Sequence, residues 1–461
     1  MKDAKMENKQ NKDIDMTQGV IYKQLIKFFI PLLFSSFFQQ LYNTADAVIV
    51  GRYVGKIALS AVGASTGVIL AVFINFFIAM TGGAAVIVSQ YYGARRRRDV
   101  SDTVHTAMIF CTAAGLVVTI LGLILSPVML RAIGTPEDIF APSLSYMRIF
   151  FFGMTPLLLY NMAASILRAV GDSRRPLYFL IFACLLNILA DILFVVVFEM
   201  GVEGAALATV LCQMLSAVLA LSVLLRSNEV YALRLNKLKA HGHHLRKILR
   251  IGIPSGAESL MYTLANVIVQ SGINGFGSDT VAAWTAYGKL DVLYWMLMAS
   301  FGTAIMTFAG QNYGAGNLER VKKGVRECSV MTTALSILTS VFVVAFGRLL
   351  LSIFTDDPNV IEIGYKSMMC TIAPAYVTYN LVEVITGALR GMGDSIKPLI
   401  ISVFTICLLR IVWMFTIVPA TGELRVLTLC FPISWLTTSI AFVIYYRRKM
   451  KKLMAQNAKG L

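Results

Sequence analysis

The sequence LRAVGDSRRPL at residues 167–177 returns as LRGMGDSIKPL at residues 389–399. A second pair repeats at a nearly equal interval, with QYYGARRRRDVS at 90–101 and QNYGAGNLERVK at 311–322. Two matches at almost the same interval are typical of an internal duplication. The sequence therefore predicts two homologous halves.

Composition predicts that both halves lie in a membrane. Hydrophobic residues make up 57% of the 461 residues, charged residues only 14%, and the mean hydropathy is +0.71. Apolar runs of about twenty residues can cross a bilayer as helices. Twelve such runs are predicted, at 26–50, 62–89, 104–126, 146–167, 177–198, 204–225, 248–273, 281–309, 328–351, 363–389, 398–418 and 428–446. We therefore expect an all-α polytopic membrane protein with twelve transmembrane helices.

The distribution of basic residues predicts the orientation of the chain. If the N-terminus is cytoplasmic, 32 of the 41 Lys and Arg residues lie on the cytoplasmic side, 7 lie outside and 2 lie within spans. Cytoplasmic loops collect Lys and Arg, so both termini are expected inside, and the net charge of +16 needs no nucleic-acid partner. Six helices per half give both halves the same orientation, as in many secondary transporters. We expect six-helix lobes at 1–225 and 248–461, joined by a cytoplasmic linker at 226–247.

Several features argue against an enzyme or a metalloprotein. The nucleotide-binding pattern GxxxxGK[ST] is absent, and the seven cysteines are scattered without a CxxC pair. We expect His241, His243 and His244 to lie in a solvated linker loop, whereas His105 carries no clear signal. The first twenty residues lack an apolar core, so no cleaved signal peptide is expected. No cofactor is expected beyond a coupling ion.

Asp46 is an acidic residue inside the first predicted span. The run 28–51 around it contains no basic residue that could neutralise it. An ionised Asp at a helix centre costs about 2.5–3.5 kcal/mol, so such a residue usually faces the bundle interior and marks an ion path. The alternative is a polar residue that a neighbouring helix or the wet interface satisfies.

Three further polar residues are predicted to lie at a similar depth. Asn187 and Asp191 are four residues apart and share one helix face. Helical rise places Asp191 roughly 12 Å, and Thr209 and Asp46 roughly 8 Å, from the outer ends of their spans. The four are therefore expected to meet, where two carboxylates could exchange a proton or bind Na⁺ with amide and hydroxyl oxygens. The alternative is a polar network that only locks helix packing.

The second half has its own charges inside predicted spans. Glu258 lies in the seventh span, Lys289 and Asp291 in the eighth, and Glu383 in the tenth. Lys289 and Asp291 are two residues apart and do not face each other, so we expect pairs across helices, such as Lys289 with Glu258. These four residues form either a C-lobe cavity and charge network or a structural ion pair. Arg410 is expected to snorkel or to pair.

These motifs resemble the multidrug and toxic compound extrusion (MATE) family, in its bacterial DinF-like branch. The likeness covers nearly all of residues 16–450. It rests on QQLYNTADAVIVGRYVGK at 39–56, LRAVGDSR at 167–174, the Asn187 and Asp191 pair, and LRGMGDSI at 389–396. The resemblance implies a V-shaped arrangement of two six-helix lobes and export of cationic, amphipathic compounds by antiport with H⁺ or Na⁺.

The resemblance also implies where coupling takes place. In the DinF-like branch the N-lobe site corresponds to Asp46, Asn187, Asp191 and Thr209. The NorM-like branch couples through C-lobe acids instead, and Glu258 fits its helix-seven Glu. The helix-ten Asp of that branch has no clean equivalent, because Glu383 stands about one turn from the corresponding position at or beside Tyr379.

The sequence thus predicts a multi-pass antiporter of the plasma or inner membrane that exports organic cations from a cavity between the lobes. We expect Phe, Tyr and Met to line this cavity, because aromatic faces hold cations and Met adapts to varied shapes. The expected partners are small organic cations and membrane lipid, and the expected state is a monomer. The alternative is a flippase for lipid-linked precursors from the same wider superfamily. A cavity rich in Arg and Lys would favour that alternative, whereas the intramembrane charges are mainly acidic.

Overall fold

The computed structural model describes residues 15–458, which are helical along most of that range. The predicted all-α fold is confirmed, and every predicted span corresponds to a helical segment. These segments are α1 (Ile21–Tyr53), α2 (Ile57–Gly93), α3 (Arg97–Ala132), α4 (Glu137–Phe152 with Met154–Ala169), α5 (Arg174–Val197), α6 (Gly201–Arg226), α7 (Gly242–Asn274), α8 (Ser278–Gly314), α9 (Leu318–Ser352), α10 (Pro358–Gly391), α11 (Ile396–Thr421) and α12 (Leu424–Ala458).

Length and composition decide which of these segments could cross a membrane. Within residues 15–458, ten helices are long and apolar enough to do so alone, and α4 adds an eleventh span whose two pieces are bent by 45°. The bend lies at Gly153, where an added Cβ would approach Val210 Cγ2 to 2.6 Å, so α4 packs tightly on α6 there. The segment α7 has 33 residues but is not among the eleven, since its first turns carry His and basic residues and its later part contains Glu258, Asn266 and Gln270.

The first compact unit contains residues 27–256. Its core includes the buried side chains of Val50, Met147 and Phe151. Small residues allow the helices to approach closely, because a Cβ added at Gly122 would lie 2.1 Å from the ring of Phe151. Close packing of this kind is the main source of helix association in a bilayer, where burial of apolar surface gives little.

The second compact unit contains residues 16–26 together with the chain from Ala257 onward. Its helices α8 and α10 approach to backbone contact. A Cβ added at Gly387 would lie 2.6 Å from the carbonyl oxygen of Gly302, and one at Gly391 would lie 2.4 Å from that of Met306. Neither carbonyl can rotate away as a side chain could, so this helix pair depends on glycine.

We expect Gly387→Ala to destabilise the protein by about 1–3 kcal/mol, the usual cost of overpacking a well-packed interior. The matched control is Gly288→Ala in α8, where an added Cβ meets nothing within 4 Å. That control should be neutral or slightly stabilising, because alanine favours helix over glycine. Thermal unfolding of the purified protein measures both. Equal melting temperatures for the two variants would contradict the close packing of α8 and α10.

The repeated GDS sequences form similar turns between helices. Gly171 and Gly393 have φ of 99° and 84°, in the left-handed region that glycine adopts without strain. Asp172 accepts hydrogen bonds from the backbone N–H groups of two following residues through Oδ1, each at 3.1 Å. Asp394 accepts one such bond, from the N–H of Lys397 at 3.4 Å, and also accepts hydrogen bonds from the side chains of Tyr445 and Lys449. The duplicated turn is therefore held locally in both halves, and α12 holds it further in the second.

The linker after α6 folds back onto α3. The N–H of Arg234 donates to His105 Nε2 at 3.0 Å, and the N–H of His241 donates to Thr106 Oγ1 at 3.1 Å. The expectation that all three linker histidines are solvated is therefore wrong for His244, which is only 6% exposed. The physical reason is that backbone donors of the linker find side-chain acceptors on α3, and His244 is carried inside with them.

His244 lies against α2 and α3. Its Nδ1 is 3.2 Å from Thr103 Oγ1, and its Nε2 is 3.8 Å from Asp99 Oδ1. The titratable groups near it are Tyr91, Asp99, Asp102, His241 and His243, with the Lys247 ammonium hydrogen-bonded to Tyr91. Burial lowers the pKa of His244; the two acids oppose this effect and the two other histidines reinforce it.

This environment predicts a pH dependence of stability. A histidine has a pKa of about 6.5 in the unfolded chain, so below this pH the unfolded chain takes up the proton more readily than the fold does. The stabilisation by neutral His244 is thus complete above about pH 6.5 and is lost as pH falls below it. We expect the melting temperature to fall between pH 7 and 5, and to fall less in His244→Gln. The control is His243→Gln, at an exposed histidine. The same pH slope in His244→Gln as in the parent protein would contradict this prediction.

Candidate functional site

A cluster of buried polar side chains lies in the first unit, at the end of α5. Asn187 and Asp191 are both fully buried, one turn apart on the same face, and Thr209 of α6 is 2% exposed. Directly after Asp191, the helix widens into a π-helical turn over Ile192–Val197. Turns of this kind occur frequently at functional sites.

Asp46 of α1 belongs to the same cluster. Its carboxylate is close enough to Asp191 for the two charges to interact, and both act on Tyr146 of α4. The side chain of Tyr42, one turn before Asp46, lies close to that of Thr209. The structure thus brings together the four residues that helical spacing and depth had grouped, and it adds Tyr42 and Tyr146.

The distinguishing feature of this cluster is its unmatched oxygens. Both carboxylate oxygens of Asp191, Oδ1 of Asp46 and both amide atoms of Asn187 are buried without a hydrogen-bond partner among the described residues. A buried polar atom left unpaired costs about 1–3 kcal/mol, and more if it is charged. Native proteins retain few such atoms, and each calls for an explanation such as binding an ion or a proton.

The cluster has the chemistry of a small-cation site. Carboxylate, amide and hydroxyl oxygens are the ligands that hard cations prefer. A single proton on either carboxylate would also remove one of two like charges held close together. The arrangement can therefore exchange a proton or a hard monovalent cation.

In the second unit, Glu258 of α7 is fully paired. Its Oε2 accepts a hydrogen bond from the Arg390 guanidinium at 2.8 Å, and its Oε1 accepts one from Ser402 Oγ at 2.9 Å. The expected pair of Lys289 with Glu258 is therefore wrong. Lys289 is exposed, because the rotation of α8 directs it away from the interior. The basic partner instead comes from the repeated LRGMGDS segment that ends α10.

Asp291 is surrounded by aromatic donors. Its Oδ1 accepts hydrogen bonds from Tyr287 and Tyr376, and its Oδ2 accepts one from Trp295 Nε1 at 2.6 Å. The rings of Tyr376 and Tyr294 stack with centroids 3.8 Å apart. Both oxygens of this carboxylate are thus matched within the protein, unlike those of Asp191.

Glu383 and Arg410 also find partners in the second unit. The hydroxyl of Tyr379 donates to Glu383 Oε2 at 3.1 Å. Arg410 is 1% exposed and donates to Asn266 Oδ1 at 3.0 Å and to Ser434 Oγ at 3.1 Å. Of the two roles expected for Arg410, the structure shows pairing and not snorkelling. The four C-lobe residues therefore do not form one cluster: Glu258 and Glu383 both interact with Arg390, whereas Asp291 has its own aromatic partners.

Sequence comparison matches both halves to one family profile. The profile, described as MatE, matches residues 31–193 and again residues 254–416. The chain belongs to the multidrug and toxic compound extrusion (MatE) family. The double match also agrees with the internal repeat, since the matched segments begin at Pro31 and Pro254, each of which follows an isoleucine.

Two curated relatives illustrate the similarity along the chain. It is 28% identical to the probable multidrug resistance protein YpnP of Bacillus subtilis (strain 168), over 96% of this chain and 98% of YpnP. It is 27% identical to the probable multidrug resistance protein NorM of Thermotoga maritima, over 86% of each chain. Another relative, 23% identical over 91% of this chain and 93% of its own length, is named as an FAD transporter, from Shewanella oneidensis.

Solved structures share the fold. A MATE protein crystallised in a bent conformation superposes with a TM-score of 0.91 at 22% identity, over 98% of this chain and 100% of that one. A transporter from Pyrococcus furiosus, whose structure was described as having a binding pocket of reversed polarity, gives 0.89 at 23% identity, over 97% and 99% of the two chains. This MatE protein is therefore a multi-span membrane transporter of a multidrug efflux family.

The contrast between the two units predicts opposite stability effects. Asp191→Asn removes a charge that no protein donor matches, so we expect no loss of stability or a small gain. Glu258→Gln removes the carboxylate that is hydrogen-bonded to the Arg390 guanidinium, although the interaction of Arg390 with Glu383 remains. Breaking a buried pair costs roughly 3–5 kcal/mol, and we expect about 2 kcal/mol here because the Arg390 side chain is 27% exposed.

Thermal unfolding of both variants at neutral pH provides the measurement. Gln retains the length and hydrogen-bonding capacity of Glu258, so a loss reports the ion pair and not a cavity. A larger loss of stability for Asp191→Asn than for Glu258→Gln would contradict this prediction. It would show that the Asp191 carboxylate stabilises the packing of the helices.

Proposed function

We propose that this protein is an antiporter that exports cationic, amphipathic compounds in exchange for H⁺ or Na⁺. The coupling site is the cluster of Asp46, Asn187, Asp191 and Thr209. The observation that carries the proposal is the set of buried carboxylate oxygens in this cluster that have no donor among the described residues. The proposal further places the protein in the cell membrane with both termini in the cytoplasm, acting as a monomer.

Coupling follows from the difference in electrostatic free energy between the occupied site and the empty site. When the carboxylates hold neither a proton nor Na⁺, two like charges face each other in a medium of low dielectric, which is costly. Occupation from the outside removes that cost and favours a different position of α1. A ligand can shift a conformational equilibrium only by its difference in affinity for the two states, and this cluster supplies such a difference.

Two features of the helices support movement at this point. Pro31 lies inside α1, where it removes one backbone hydrogen bond of the helix that carries Asp46. The π-helical turn Ile192–Val197 follows Asp191 on α5. Both carboxylates are thus carried by helices with an irregular hydrogen-bond pattern, which bend or shift at lower cost than regular helices.

The cargo class follows from charge. Asp46 and Asp191 place negative charge in the first unit. When the site holds neither a proton nor Na⁺, this charge attracts a cationic compound. A flippase for lipid-linked pyrophosphates is the alternative within the superfamily, and it would need basic side chains free to hold phosphate. Arg410, which is buried, and Arg390, which is partly buried, are instead bound to acceptors within the protein.

We expect Asp46→Asn to abolish export driven by a gradient, because the amide mimics the protonated carboxylate and cannot exchange a cation. Asp191→Asn should do the same, and Thr209→Ala should slow transport more mildly. The measurement is uptake of a fluorescent cationic dye into liposomes with a pH gradient or a Na⁺ gradient imposed separately. The control is Glu137→Gln, which removes an exposed carboxylate at the start of α4.

The decisive comparison is Asp46→Asn against Glu258→Gln, with rates normalised to folded protein. Full coupling in the Asp46 variant beside an inactive Glu258 variant would move the coupling site to the second unit. If neither gradient drives dye transport by the parent protein, the antiport proposal itself fails. Transport of an anionic dinucleotide or a lipid-linked pyrophosphate in that case would identify the other class of cargo.

A further inference from the structure

A groove outside the coupling cluster lies within the second unit, between the start of α1 and the first turns of α9. Its volume is about 370 Å³. The side chains that line it are Tyr22, Lys323, Arg326, Glu327, Val330 and Met331. None of these residues has a role in the proposed antiport.

The α9 residues of the groove follow a helical stripe. Positions 323, 326, 327, 330 and 331 are separated by three or four residues, so their side chains share one face of α9. The stripe is charged at its start and apolar at its end, with Val330 and Met331 about 6 Å further along the axis than Arg326 and Glu327. A ligand that matches it has a polar end and an apolar end.

The polar end of the groove carries two basic groups and one acid. The Lys323 ammonium lies 4.0 Å from Glu327 Oε1, and the Lys323 side chain is 70% exposed. Glu327 Oε2 is buried and has no hydrogen-bond donor among the described residues. The polar end therefore offers cationic groups for an anion and also an acceptor that needs an N–H or O–H donor.

The apolar end of the groove is open to the surroundings, since the Val330 side chain is 63% exposed. In a membrane helix such a side chain contacts hydrocarbon. The start of α9 follows a loop that the distribution of basic residues places on the cytoplasmic side. Basic pockets between membrane helices on that side are suited to lipid headgroups.

We propose that this groove binds an aminophospholipid of the cytoplasmic leaflet. Lys323 and Arg326 hold the phosphate, and the ammonium of the headgroup donates to Glu327 Oε2. An acyl chain lies along Val330 and Met331, and the ring of Tyr22 covers the headgroup from α1.

The neighbouring contacts show what such a lipid would stabilise. Arg320, one turn before Lys323, donates to the carbonyl oxygens of Met16 and Gln18 and to the Gln24 side chain. The segment before α1 is thus already bound to α9 beside the groove. A bound lipid between Tyr22 and α9 adds to this attachment, and so it should raise the stability of the second unit.

The test uses the full-length protein, stripped of lipid in detergent, with native mass spectrometry and thermal unfolding as readouts. Added phosphatidylethanolamine is compared with phosphatidylcholine, which has the same phosphate and chains but no N–H donor. We expect about tenfold tighter binding of phosphatidylethanolamine, because a hydrogen bond to a charged acceptor has that strength. Glu327→Ala should abolish the preference, because it removes the acceptor that only phosphatidylethanolamine can use.

The basic residues are tested with a matched control on the same helix. Lys323→Ala and Arg326→Ala should each weaken binding of both lipids about fivefold, the effect of one basic residue near a membrane surface. Lys322→Ala removes the same charge from an exposed position that does not line the groove, and it should leave binding unchanged.

Three outcomes would overturn the proposal. The first is equal binding of the two lipids to the parent protein, and the second is an equal loss in Lys322→Ala and Lys323→Ala. The third is competition by glycerophosphoethanolamine, the headgroup without chains, at the same concentration as the intact lipid. That result would identify a site for soluble phosphate compounds instead.

Discussion

A carboxylate oxygen inside a membrane helix bundle must be matched by a proton, a cation or a hydrogen-bond donor, because hydrocarbon supplies none. The two units of this transporter meet that constraint differently. In the second unit, Asp291 and Glu258 are matched by aromatic donors and by a guanidinium that the protein itself supplies. In the first unit, the oxygens of Asp191 have no such donor within residues 15–458. In the proposed antiport, an exchangeable cation matches the oxygens of the first cluster, whereas donors of the protein itself match Asp291 and Glu258 in the second unit.

The rest of the structure holds these carboxylates on closely packed, rigid helices. Glycines at helix contacts, such as Gly122 and Gly387, bring backbones and rings so close that even a methyl group would collide. Interiors packed this closely rearrange between discrete states and do not deform continuously. Irregular turns occur in both units, and two of them, Pro31 on α1 and the π-helical turn after Asp191, lie on the helices that carry the unmatched carboxylates. In the proposed antiport, a local change of charge acts on these two helices.

The sequence predicts interactions between residues that are close together in the chain better than interactions between residues far apart in it. The apolar runs predict the helices, and four-residue spacing with helical rise predicts the group around Asp191. Tyr42 could have been added to that group, because it stands one turn before Asp46. Tyr146 could not, since nothing in the sequence fixes the rotation of α4. The prediction for Lys289 was wrong for the same reason, since the sequence does not fix the rotation of α8. Lys289 is exposed, and Arg390 pairs with Glu258 in its place. His244 was missed because a linker without periodicity gives no sign that it folds back onto α3.

The internal repeat shows where the two halves differ. When the two halves are aligned on their GDS turns, the positions equivalent to Asp191 and Thr209 are Trp413 and Phe431, and alignment of Pro31 with Pro254 makes Val269 equivalent to Asp46. The two halves thus share the helix pattern and the GDS turn, but the second half has apolar and aromatic residues at the positions of the two carboxylates.

Arg410 lies in the corresponding part of the second half, within one residue of the position equivalent to Asn187. Its guanidinium is 4.3 Å from the centroid of the Phe431 ring and donates to Asn266. A guanidinium cannot lose its proton in a protein, so this half carries a permanent cation at that position. In the proposed antiport, the first cluster therefore changes its charge during the transport cycle, whereas the charge of Arg410 stays fixed.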